Sequence, residues 1–128
     1  MLPGKLQHIP IDEFKENLSW MIQSLCDPAS EYYAPWTRVI LITPPPISVS
    51  MWTKELAHRN PPQDLDRSHD HTSTYVDATK EVAAALNVPF VSAWGAIWAI
   101  AKEEAKLDQF LSDGLHLTKA GYEVWSPF

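Results

Sequence analysis

The 128-residue sequence contains one cysteine, Cys26, so no disulfide can close within the chain and no cysteine-rich zinc site can be assembled from it. Long apolar runs are also missing. The longest, Val88 to Ala101, is broken by Pro89, Ser92 and Gly95 and is too short to cross a bilayer. The opening "MLPGKLQHIP" lacks the apolar stretch of a signal peptide. Together with the lone cysteine, this makes a reducing, cytoplasmic compartment the expectation. Basic residues are scarce: 10 Lys and Arg against 16 Asp and Glu leave a net charge of -6, with no cationic cluster. Nucleic acid and membrane are therefore excluded as expected partners.

What is present is ordinary globular material. Apolar residues make up 45% of the chain, and the 6 Trp imply a real core or pocket walls rather than disorder. The length fits one domain. From Asp12, "DEFKENLSWMIQSLC" sets Phe14, Leu18, Met21, Ile22 and Leu25 on one helical stripe, on which Trp20 is also read to lie. Asp12 is placed to cap that helix and Asp27-Pro28 to end it. "RVILIT" (38–43) reads as a strand buried on both faces, as in a parallel sheet, and Pro44 to Pro46 stop it. Residues 60–71 read as a polar surface loop. "TSTYVDATKEVAAALN" (72–87) reads as a second amphipathic helix stopped by Asn87, and "VPFVSA" (88–93) as a second strand. Residues 94–110 read as one continuous helix, and "TKAGYEVW" (118–125) opens another, capped by Thr118.

This alternation predicts an α/β fold with parallel strands near 38–43 and 88–92 and right-handed crossovers. Two such strands make a poor sheet, and both look central. The expectation is therefore a single partial domain over 1–128 with uncovered strand edges, open to self-association.

The chemistry concentrates in "SDGLHLTKAGYEVW" (112–125). A general base needs an imidazole held in one tautomer by an acceptor on its far nitrogen. Asp113, three positions before His116 across a turn containing Gly114, can supply that acceptor, as the acid of a hydrolase triad does. The same spacing also fits a plain turn beside a helix cap.

This block resembles the last conserved block of the SGNH/GDSL hydrolases. "LPGKLQHIPIDEFKENL" and "VILITPPPI" are similar, in the same order, to segments of that family's isoamyl acetate-hydrolysing esterase branch. The resemblance spans most of the chain and is weakest over Ala57 to His71. It implies the C-terminal portion of a three-layer α/β/α sandwich (SGNH or flavodoxin-like). It also implies hydrolysis of small acetate-type esters by a Ser-His-Asp mechanism without metal or cofactor, with Asp113 and His116 as acid and base. No Gly is followed by Asp-Ser, and Asn17, Asn60 and Asn87 lie outside any Gly-x-Asn-Asp context. The nucleophile, Gly and Asn blocks of the family are thus expected to be absent. The sequence ends at "WSPF" (125–128), where the closing helix of the family would continue. By itself the chain is expected to have low or no activity, its small ester substrate requiring the complete site. Two other expectations stand beside this one: a non-catalytic interaction or regulatory module pairing through exposed sheet edges, and an internal Met1 within a longer enzyme.

Other residues are weaker candidates. Ser48 and Ser50 follow the Pro run at the functional edge of the sheet, and in the family that loop walls the acyl pocket. "HDH" (69–71) offers weak metal ligands, but a solvated loop is the simpler reading. His8 and His58 have no partner visible in the sequence. Trp20, Trp94 and Trp98 read as core or pocket wall, and Cys26 as a small buried apolar residue.

Overall fold

The computed structural model describes residues 1–125; the last residues of "WSPF", Ser126 to Phe128, lie outside them. Helix α1 spans Ile11–Cys26. It starts one residue earlier than the pattern predicts, with Pro10 as its N-cap, and Asp12 makes no capping bond. The ring of Pro10 holds φ at -56° and its carbonyl accepts Phe14 N–H at 2.9 Å, so the proline does the initiating. Asp12 and Glu13 sit in the first turn, where the helix dipole favours acid.

Two strands, β1 (Leu41–Ile42) and β2 (Phe90–Val91), pair in parallel, Leu41 against Phe90 and Ile42 against Val91. The paired segments are shorter than the predicted 38–43 and 88–92. The expectation of a strand buried on both faces is also corrected. Leu41 and Thr43 are buried, but Ile40 and Ile42, at 57% and 50% exposure, leave one face of the sheet open. The other face is covered by α1 and by helix α3, His69–Ala85. There Ile22, Leu41, Val82 and Ala83 form a core against Leu18, Val39, Leu86 and Val88. Each fully buried side chain of Ile, Leu or Val size contributes about 1.5–3 kcal/mol. Lys15 ties the two helices by an ion pair to Glu81 at 3.1 Å.

Helix α2, Val49–His58, was not expected from the sequence. Ser48 caps it, and Trp52 and Leu56, one turn apart, are buried. The predicted loop of 60–71 ends early, because Ser68 accepts His71 N–H at 3.1 Å and begins α3 at His69. Asn87 ends α3 as predicted. It sits in the left-handed region at φ 53°, with Val88 N–H bonded to Ala83 O at 2.9 Å in a Schellman closure.

The predicted helix of 94–110 is two elements. Helix α4 (Ala93–Ala101) is capped by Ser92 and closed by Lys102 at φ 61°, and a 3-10 helix (Glu104–Gln109) follows. The left-handed Lys102 turns the chain so that Glu104 reaches α2. Helix α5 (Lys119–Trp125) starts at Thr118, whose Oγ1 accepts Gly121 N–H at 3.2 Å, as predicted. Ile97, Ala101, Leu107, Phe110 and Leu111 form a second core between α4, the 3-10 helix and α5.

Trp98 packs on that core, but Trp20 is 59% exposed and Cys26 is exposed, so neither takes the buried role read from sequence. Trp20 lies off the arc occupied by Leu18 and Ile22, whereas Cys26 is on that arc but is the last residue of α1. Among the described residues, no helix is long and apolar enough to cross a membrane.

Candidate active site

The segment from Phe110 to Thr118 closes on itself. Leu111 and Leu117 form an antiparallel bridge, Ser112 N–H donates to His116 O at 2.8 Å, and Thr118 N–H to Phe110 O at 2.9 Å. Inside this loop Asp113 Oδ1 accepts the amides of Leu115 and His116, each at 2.8 Å, and Oδ2 lies 2.6 Å from His116 Nδ1. The structure thus brings the two predicted residues together. Burial pushes the Asp113 carboxyl up, but the His116 amide, the His116 ring and the Leu115 amide outweigh it and hold it below its usual value. A carboxylate can only accept, so Nδ1 carries the hydrogen and the lone pair of the neutral ring sits on Nε2. The His116 side chain is 68% exposed, and among the described residues nothing bonds Nε2.

Gly114 fixes where this loop sits. Its φ is +95°, and its carbonyl accepts Ser48 N–H at 2.9 Å at the start of α2. A Cβ there would stand 2.6 Å from both Ser48 O and Trp52 N. The loop therefore lies directly on the first turn of α2, and His116 stands edge-on to Trp52 with ring centroids 6.4 Å apart. The same turn is held from its other side by Glu104. Its Oε1 accepts Ser50 N–H at 3.0 Å and Ser48 Oγ–H at 3.2 Å. Burial pushes Glu104 up, while these amide and hydroxyl bonds bring its carboxyl below the usual range.

Ser48 is buried as the helix cap, and Ser50 Oγ lies 3.1 Å from it. Neither hydroxyl is bonded to His116 among the described residues, so the loop after the Pro run supplies a helix start rather than a nucleophile. The "HDH" residues are not a solvated loop. His69 packs against Trp94 and Trp98 at 4.5 and 4.6 Å, while His71 Nε2 and His8 Nδ1 both reach Met1 O at 2.8 Å. The three side chains diverge because successive helical positions point about 100° apart. No group of three metal-ligating side chains forms among the described residues. His58 Nδ1 bonds its own helix at Lys54 O.

Glu104, Trp52, Asp66 and Arg67 surround the site and were not singled out in the sequence. Trp52 Nε1–H donates to Asp66 Oδ1 at 2.8 Å, and Arg59 and Arg67 place their guanidinium carbons 4.9 and 5.9 Å from the Trp52 ring centre. The Trp52–Leu56 spacing after a Ser was the one legible signal for this cluster.

Comparison with known proteins gives the family. The profile described as the GDSL-like Lipase/Acylhydrolase family matches residues 6–124. The isoamyl acetate-hydrolyzing esterase 1 homolog of Mus musculus is 34% identical over 117 residues, covering 91% of this chain and 43% of that protein. A GDSL esterase/lipase of Arabidopsis thaliana is 27% identical over 121 residues. The crystal structure of a lipase/acylhydrolase from Enterococcus faecalis superposes with a TM-score of 0.61 at 30% identity, over 91% of this chain and 48% of that one. The chain spans less than half the length of these relatives.

Proposed function

We propose, on the footing that the chain belongs to the GDSL-like lipase/acylhydrolase family, that it carries the acid–base pair of an SGNH-type esterase acting on small carboxylic esters. The observation that carries this is the 2.6 Å contact between Asp113 Oδ2 and His116 Nδ1, with the same carboxylate anchored by two backbone amides. In this reading His116 Nε2 takes the proton of a serine hydroxyl as it attacks the ester carbonyl. Asp113 keeps the ring in the productive tautomer and stabilises the imidazolium. The proton then passes to the departing alcohol, and water repeats the sequence on the acyl-enzyme. The serine is one that the described residues do not bring to His116; the names of the relatives support the substrate class.

The test is a chimera in which residues 6–124 replace the matching segment of the Mus musculus relative. Ester hydrolysis is expected, with His116→Ala and Asp113→Asn each lowering kcat by about 10^3 to 10^4-fold. A folded chimera whose turnover is indifferent to His116→Ala sinks the proposal. The open sheet face of Ile40 and Ile42 favours a second reading, a non-catalytic interaction or regulatory module that pairs through exposed sheet edges. Under that reading the chimera folds but stays inactive.

A further inference from the structure

A cavity of about 200 Å3 lies beside the acid–base loop. Pro44, Pro45, Ile47 and Tyr75 make its walls mostly apolar, and Leu115, the residue before His116, closes one side. Arg67 is the only charged side chain among the described residues that line it. That guanidinium is under-used. Its Nε is buried and has no hydrogen-bond partner among the described residues. The nearest carboxylate oxygen, Asp66 Oδ1, is 3.8 Å away and already takes the Trp52 indole N–H at 2.8 Å. Asp66 therefore offsets part of the charge without satisfying the donors. The side chain is 28% exposed, so water does not fully screen it. Trp52 links it to the base: the Arg67 guanidinium carbon is 5.9 Å from the indole centre, and His116 meets the same ring edge-on at 6.4 Å.

From this placement we infer that the site takes esters carrying a second, ionised carboxyl group, with half-esters of short dicarboxylic acids as the simplest case. The free carboxylate would pair with Arg67 while the ester carbonyl lies toward His116. A guanidinium presents a planar fork of donors that a carboxylate matches with two parallel bonds, and both gain strength between apolar walls. A neutral ester filling the same cavity would strip water from Arg67 and return no acceptor. The inference rests on the hydrolase reading, whose acid–base pair it shares.

The experiment is a titration of the 15N-labelled 128-residue protein with monomethyl glutarate and, separately, dimethyl glutarate. The resonances followed are Arg67 Nε–H and the amides of Leu115 and His116. The half-ester is expected to move all three and to bind at least about tenfold tighter than the diester. Arg67→Gln should abolish that preference and Arg67→Lys keep part of it, both with unchanged spectra away from the cavity. If both esters shift Leu115 and His116 with equal affinity and Arg67→Gln changes nothing, the carboxylate inference is overturned while the hydrolase reading stands. If neither ester disturbs Arg67, Leu115 or His116, this inference is overturned, and the hydrolase reading is decided separately by the chimera.

Discussion

Gly114 carries the turn between Asp113 and His116, and both its torsion and its surroundings demand the absence of a side chain. At φ +95°, with Ser48 O and Trp52 N 2.6 Å from where a Cβ would sit, Gly114→Ala must push the loop off α2. A loss of at least about 2 kcal/mol in urea unfolding is expected from strain and separation together. Asp113 sets a different expectation. Its folded carboxyl lies below the unfolded value near 4, so it contributes stability above that pH and loses the contribution as pH falls through the folded value. Thermal melts from pH 7 to pH 3 should show a fall in Tm beginning below about pH 4 that is smaller in Asp113→Asn. An identical acid response in the variant would remove Asp113 from the account.

Among the elements, α2 depends on a residue far along the chain. Glu104 accepts at its first turn, so Glu104→Ala should cost about 1–2 kcal/mol and weaken the platform under the Asp113 loop. The checks are urea unfolding and amide exchange at Ser50 and His116. A neutral effect on both would mean Ser48 caps the helix alone. The sequence made some of this visible. Phe14, Leu18 and Ile22 repeat at helical spacing, Asn87 marks a stop, and Asp113 and His116 stand at triad-like spacing before a Thr118 cap. The rest depended on tertiary facts. In α2 only Trp52 and Leu56 are fully buried, which is too short a pattern to read as a helix after three prolines. Lys102 adopts a left-handed turn for which lysine has no preference, and it is made worthwhile by what Glu104 then reaches. Arg67 sits in a stretch so polar that nothing in its spacing marks it as a cavity wall.

For the molecule as a whole, the two-stranded sheet shows a covered face and an open one. Ile40 and Ile42 are each about half exposed on the open side, an apolar surface that water does not favour. Concentration-dependent association is expected in sedimentation velocity, reduced by Ile42→Lys without loss of helicity; a monomer at all concentrations would contradict it. The acid–base loop is insulated from this sheet. Every bond that orients Asp113 and His116 falls between Phe110 and Thr118, and the surface beneath it comes from Ser48, Trp52 and Glu104. That gives the pair a kinetic independence. A segment this short closes on the order of 10–100 ns, far faster than strands distant in sequence can find one another. The imidazole and its carboxylate can therefore meet repeatedly in a chain that is still folding, before the sheet assembles.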